Sequence, residues 1–205
     1  MSRAVVRAAR AKVNPFLRVV RLREDGYHEI ESLLLPVSLA DTVRVTPAST
    51  LDVEVRGEGP RAGEVPVGGL NLAIVAALAL GGTCAGGGAR IEIEKRIPTA
   101  GGLGGGSADA AATLHALNEL WGCGLDVETL AGIAERVGSD VPALVLGGPV
   151  LVGGRGDLLR PTPLPPFAWV LLHHDEGVRS PDAYRWWDEA GGGARPPPAP
   201  GPEAG

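Results

Sequence analysis

"IPTAGGLGGGSADAAATL", residues 97–114, places five glycines in six positions and then turns abruptly to alanine. Glycine loses more backbone entropy on folding than any other residue, roughly 0.5–1 kcal/mol relative to alanine inside a regular element. A run this costly needs a role that other residues cannot fill, and a ligand lying against bare backbone supplies one. The alternating "ARIEIEKRIP" (89–98) ahead of it reads as a strand, and the alanine-rich segment behind it as a helix. A strand, a glycine loop and a helix N-terminus make an anion cradle, because free N–H groups and the positive end of the dipole converge there. Phosphate is the expected occupant. Ser107 is placed to cap the helix, and Asp109 falls in its first turn, where the dipole favours an anion. Ala110, Leu114, Leu117 and Trp121 follow as a core stripe at helical spacing.

Spelling eliminates the commoner glycine loops. A Walker loop needs Lys-Ser/Thr after GxxxxG, yet Gly101 to Gly106 runs directly into Ser107. A dinucleotide fingerprint needs a sixth-position glycine, which is Ser107 when counted from Gly102 and Asp109 when counted from Gly104. A merely flexible turn is the bland alternative.

Working outward, residues 4–23 and 28–37 are rich in Val, Leu and Ile, and Asp25-Gly26 between them is a β-hairpin signal. "DTVRVTPA" (41–48) and "LDVEVRG" (51–57) alternate as two further strands. "NLAIVAALALGG" (71–82) reads as a buried helix stopped by Gly81. Residues 126–138 make a helix closed by Gly138, and 139–148 a short helix that tolerates Pro142 in its first turn. "FAWVLLHH" (167–174) reads as a strand opening a second layer. Gly/Pro/Ala low complexity over 191–205 cannot bury a core, so disorder is expected there.

The 205 residues suffice for one large domain or one domain and part of a second, and 44% hydrophobic content supports a real core. A net charge of −5 and a pI of about 5.4 argue against general nucleic-acid binding. The longest apolar run, Leu72 to Leu80, is too short for a membrane span. Arg3, Arg7 and Arg10 faintly suggest a presequence, but the segment continues into candidate catalytic residues and reads as the first strand. Cys84 and Cys123 lack CxxC spacing, and reduced core thiols in a cytoplasmic protein are expected.

The stretch "PTAGGLGGGSADAA" (98–111) resembles the phosphate loop of the galactokinase, homoserine kinase, mevalonate kinase and phosphomevalonate kinase superfamily. "AKVNPFL" (11–17), "REDGYHEIESLLLPVSLADTV" (23–43), "GSDVPALVLGG" (138–148) and "GVRSPDAY" (177–184) narrow the likeness. They resemble the branch that phosphorylates the 2-hydroxyl of a cytidine-diphosphate-linked methylerythritol in non-mevalonate isoprenoid synthesis. The resemblance covers residues 10–185. It implies an α+β, two-layer small-molecule kinase fold, with an N-terminal domain like ribosomal protein S5 domain 2 and a truncated C-terminal α/β domain. The implied boundaries are 1–160 for the ATP-binding domain, 161–190 for the start of an incomplete second domain, and 191–205 for the tail.

The resemblance also assigns roles. ATP phosphates would rest on Pro98, Thr99, Ala100, Gly101, Gly102, Leu103, Gly104, Gly105, Gly106, Ser107 and Ala108, with magnesium near Ser107. Asp140 matches the catalytic aspartate, although an Asp after Gly-Ser is otherwise read as a helix cap. Lys12 would hold that carboxylate ionised. Asn14 is in register to contact substrate. Tyr27 and His28 match residues that hold cytosine, by stacking and edge hydrogen bonds, and Ser180 with Tyr184 matches the opposite wall. Asn71 and Lys95 sit where such kinases approach the nucleotide. His115, His173 and His174 have no metal spacing and read as structural. A small-molecule substrate, no nucleic acid and no membrane are the implied partners.

Three departures stand out. Pro15 replaces a usual leucine, Ala108 replaces a common serine, and the chain turns proline-rich after Trp187 where such kinases continue. An incomplete second layer leaves apolar surface uncovered, so weak stability, self-association or dependence on a partner is expected. The alternatives are another small-molecule kinase of the superfamily, which "DGYHEI" disfavours, and an inactive nucleotide-binding remnant.

Overall fold

Alternating apolar and polar side chains from residue 5 to residue 48 produce two very long strands. In the computed structural model, which describes residues 3–57, 68–172, 177–178 and 180–192, β1 spans Val5–Leu22 and β2 spans His28–Ala48. The turn between them forms as its residues require: Gly26 takes φ +79°, and Asp25 Oδ1 accepts from the Tyr27 N–H at 3.1 Å. The break expected between residues 37 and 41 does not occur. β2 stays continuous because both its edges are used, with β1 along one side and two different strands along the other.

Those strands are β4 (Gly88–Lys95), which pairs with Thr42–Ala48, and β5 (Val150–Gly153), which pairs with Ser32–Leu34. β3 (Asp52–Gly57) adds to β4 in parallel, and β6 (Leu158–Pro161) adds to β5, giving a six-stranded mixed sheet among the described residues. The β1–β2 register is interrupted between Arg10 and Lys12 and again between Val13 and Phe16. Pro15 sits in the second irregularity of an outer strand, a position where a missing N–H costs no ladder bond.

Helices α1 (Leu72–Gly81) and α2 (Gly105–Leu120) pack on each other, and α2 lies against β1 and β2. α3 (Val127–Ala134) and α4 (Val141–Leu146) extend this layer. Small residues at Ala108, Ala110, Ala111 and Ala112 let α2 approach the sheet closely, and Leu114 and Leu117 complete the core with Val43, Val45, Ile91 and Ile93. The result is the expected α+β arrangement of helices over a sheet.

Three expectations are corrected. Residues 167–172 form no strand: they pair with no other strand among the described residues, and Val170 and Leu172 are left about nine-tenths exposed. His173 and His174 lie outside the described residues, as does the tail from 193 onward. α3 ends at Ala134, with the chain tightening into a turn that bonds Gly138 N–H to the Ala134 carbonyl. Cys84 and Cys123 are joined in a disulfide, because α1 and α2 pack side by side and bring the segments after their C-terminal ends to a Cα separation of 5.7 Å. Among the described residues no helix is long and apolar enough to cross a membrane. The remaining helix, α5 (Ser180–Glu189), buries none of its residues.

Candidate active site

The glycine loop joins β4 to α2 through three left-handed residues, Ala100 (φ +59°), Gly102 (+70°) and Gly104 (+68°). Gly104, not Ser107, is the N-cap of α2, and it caps without a side chain. A Cβ there would lie 2.9 Å from Lys12 Cγ, so both the backbone angle and the space favour glycine. Ser107 instead lies in the first turn. The N–H groups of Gly105, Gly106 and Ser107 have no carbonyl one turn earlier in the helix, which leaves them available to an anion. Thr99 Oγ1 is buried in the same loop without a hydrogen-bond partner.

Lys12 closes the loop from the β1 side. Its backbone N–H donates to the Leu103 carbonyl at 2.9 Å, and its Nζ donates to the Gly102 carbonyl at 2.8 Å and to Asn14 Oδ1 at 2.7 Å. The same ammonium stands 3.7 Å from Asp140 Oδ2. Asp140 occupies the N-cap position of α4 but makes no capping bond, so its carboxylate is aimed into the site and not spent on the helix. Asn14 Nδ2 donates to Ser32 Oγ at 2.8 Å, and Ser32 Oγ donates to the Phe16 carbonyl at 2.8 Å, which fixes the amide's orientation.

Lys12, Asn14, Asp140, Tyr27, His28, Ser180 and Tyr184 all line one cleft of about 620 Å³. Its far wall differs from the sandwich that the sequence suggests. The His28 and Tyr184 rings stack directly on each other at 4.8 Å and 16°, with Trp187 edge-on to His28 at 5.5 Å. No base fits between rings that touch. His28 Nε2 also meets Asp188 Oδ1 at 2.8 Å, and the Arg155 guanidinium sits 5.3 Å over the Tyr27 ring. Burial, with a smaller contribution from Asp140, raises the Tyr184 phenol above its ordinary range.

Beneath the loop lies a buried ionic cluster. Lys95 Nζ donates to Asp41 Oδ2 and, at 2.7 Å, to Asp109 Oδ2, and all three side chains are almost wholly enclosed. Asp109 therefore serves as the partner of Lys95, in place of the first-turn dipole role expected of it. Desolvation pushes its carboxyl up to about 7 despite the opposing pull of Lys95. Desolvation works against the Lys95 ammonium too, but the two carboxylates together raise its pKa. Asn71 caps α1 by accepting from the Ala73 N–H at 2.9 Å. His115 is structural, with Nε2 3.0 Å from the Val145 carbonyl.

Sequence reasoning did not single out Ser32, Asp41, Arg155, Trp187 or Asp188. Asp41 carried the one available signal, a single acid within the largely apolar run from Leu33 to Val43. The others become visible only when distant segments meet.

A strand, a left-handed glycine loop and a capless helix start, with a Lys–Asp pair at its mouth, define a phosphate-binding kinase fold. The GHMP kinases N terminal domain matches residues 71–148, and a homoserine kinase from Cytophaga hutchinsonii shares the fold at 22% identity and a TM-score of 0.60, over 92% of this chain and 65% of its own. Over residues 71–148 the chain matches the GHMP kinases, and it is similar to them in fold across most of its length.

Several similar proteins share one name. A 4-diphosphocytidyl-2-C-methyl-D-erythritol kinase from Rhodococcus jostii (strain RHA1) is 46% identical over 206 residues, covering 98% of this chain and 65% of the relative. One from Leifsonia xyli subsp. xyli (strain CTCB07) is 44% identical over 178 residues, covering 86% and 58%. A crystal structure of a 4-(cytidine 5'-diphospho)-2C-methyl-D-erythritol kinase matches at 43% identity with a TM-score of 0.63, over 78% of this chain and 56% of that one. The chain thus spans about two thirds or less of the length of these relatives.

Proposed function

We propose that this chain is the ATP- and hydroxyl-handling part of a kinase that phosphorylates the 2-hydroxyl of 4-diphosphocytidyl-2-C-methyl-D-erythritol. The observation that carries the reading is Lys12, whose one ammonium bonds the glycine-loop carbonyl of Gly102 and stands beside Asp140 in the cleft. Phosphoryl transfer asks for positioning and charge stabilisation more than covalent chemistry. The loop from Pro98 to Ala108 binds the phosphates on backbone N–H groups at the start of α2. Asp140 accepts the proton of the attacking hydroxyl, and Lys12, 3.7 Å away, helps to hold that carboxylate in place. Asn14, held by Ser32, orients the hydroxyl-bearing end of the substrate. Tyr27 and His28 take the cytosine end, with Ser180 and Tyr184 opposite, once the His28–Tyr184 stack opens.

No group of three or more acidic, His or Cys side chains among the described residues could hold a metal by itself. Phosphate oxygens and the Ser107 hydroxyl form an all-oxygen set that suits magnesium, whose contribution when bound is to neutralise phosphate charge. A cytoplasmic setting, where ATP is made, goes with this reading. The test is direct: the 205-residue chain is mixed with ATP, magnesium and the cytidyl substrate, and ADP is followed with time. ADP release that needs the cytidyl substrate supports the assignment. ATP binding without any turnover would reduce the chain to a nucleotide-binding module.

A further inference from the structure

We infer that Lys95 is a positioning residue for the phosphate loop: by tying Asp41 on β2 to Asp109 on α2, it sets the distance between the two stems from which the loop hangs. The inference rests on the phosphate-loop reading above and reassigns a lysine whose place in the sequence suggests a nucleotide contact.

Both stems of the loop converge on this cluster. At the entry stem, Asp41 Oδ1 accepts from the backbone N–H groups of Arg96 and Ile97, the latter at 2.8 Å. It thereby continues the β2–β4 ladder one step past the last paired residues, Thr42 and Glu94. At the exit stem, Asp109 sits one turn inside α2, and Lys95 Nζ reaches its Oδ2 at 2.7 Å. Gly105, the first residue of α2, passes so close over the ammonium that a Cβ would lie 3.3 Å from Nζ. Asp109 Oδ1 has no hydrogen-bond partner, so among the described residues Lys95 is the one cation holding that carboxylate. With a side chain only 3% exposed and both carboxylates in contact, Lys95 has no free face to offer a ligand. Its ammonium acts on the loop through the backbone it fixes.

Such a tie matters because the loop's N–H groups must point at one spot. Small misplacement of a positioning element costs up to about 10²-fold in function.

The test compares the two ends of the tie, using calorimetry with magnesium-ATP and the cytidyl substrate on the whole chain. Lys95→Met and Asp109→Ala are each expected to weaken ATP binding at least about tenfold. The double variant should be no worse than either single one, since both cut the same link. Cytidyl-substrate affinity should move less than about twofold, a split that general unfolding would not give. Asp109→Asn, which keeps the acceptor oxygen, should bind ATP within about threefold of the parent. A direct nucleotide contact predicts otherwise: Lys95→Met would lose affinity while Asp109→Ala kept it, and that outcome overturns the inference. If Lys95→Met does not fold, Asp109→Ala carries the test, because it leaves a neutral Lys95–Asp41 pair. If the parent chain binds no ATP, the phosphate-loop reading has failed by itself. Amide exchange then decides the tie, with faster exchange at the hydrogen-bonded amides of Ile97 and Ala108 expected in both variants and unchanged exchange refuting it.

Discussion

Residues around the glycine loop hold one another through a connected set of hydrogen bonds over a buried ionic cluster, whereas those at the α5 end of the cleft meet mainly through ring contacts. At the first end, Lys12, Gly102, Leu103 and Asn14 form a closed set of hydrogen bonds above the enclosed Lys95 cluster. At the second, α5 buries nothing, and its hold on β2 consists of the His28–Tyr184 stack, the Trp187 edge and the His28–Asp188 bond. An aromatic pair adds only about 0.5–1.5 kcal/mol beyond its burial, so a ligand can displace it. On the proposed function, the contrast places preorganisation where charge would be transferred and adaptability where a base would be recognised.

The largest expected effect tests the rigid end. Asp140→Asn keeps shape and hydrogen bonding but removes the base, so steady-state turnover should drop ~10²–10⁴-fold while both substrates still bind. Near-normal turnover would move the base elsewhere and dissolve the role given to Lys12. Next, Gly104→Val forces a β-branched side chain into φ +68° and against Lys12 Cγ at 2.9 Å. ATP affinity measured by calorimetry should fall on the order of 10²-fold with the fold retained by circular dichroism. Unchanged affinity would separate the loop from the nucleotide.

The adaptable end should respond more mildly. Tyr27→Ala removes one stacking face, typically ~1–3 kcal/mol per base in nucleic-acid binding, and should raise KM for the cytidyl substrate alone. An equal loss of ATP affinity would erase the division between the two ends.

The smallest effect is one of pH on stability. Asp109 titrates at about 7 in the folded chain against an ordinary 3.8. Between those values the folded state binds more protons than the unfolded one, so raising pH across the window lowers stability, by at most about 1.4 kcal/mol per pH unit. Below 3.8 and above 7 this contribution is flat. Chemical denaturation of Asp109→Asn against the parent at several pH values should remove that slope. A slope that persists in the variant must come from another group.

Much of the loop end was legible in the sequence because it rests on local sterics. Glycines at 102 and 104 permit left-handed backbone wherever they sit, and Asp25-Gly26 makes its turn from its own side chain and φ. The error at Ser107 is instructive. A good capping side chain lost to Gly104 because the chain had to turn left-handed beside Lys12, a neighbour from another strand. Likewise the apolar run at 167–172 has a strand's composition, yet it pairs with no other strand among the described residues.

The sequence by itself determined the glycine loop and the hairpin, since these follow from backbone freedom and short-range spacing, and its resemblance to known kinases supplied the class and the residue types that the chemistry would need. Tertiary structure alone decided the partners: Lys12 beside Asp140, Cys84 bound to Cys123, Tyr184 stacked on His28, and Lys95 drawn inward between two aspartates. Each of these joins segments remote in the chain, and which of them meet depends on how the sheet and helices pack, a property that no short stretch of residues carries.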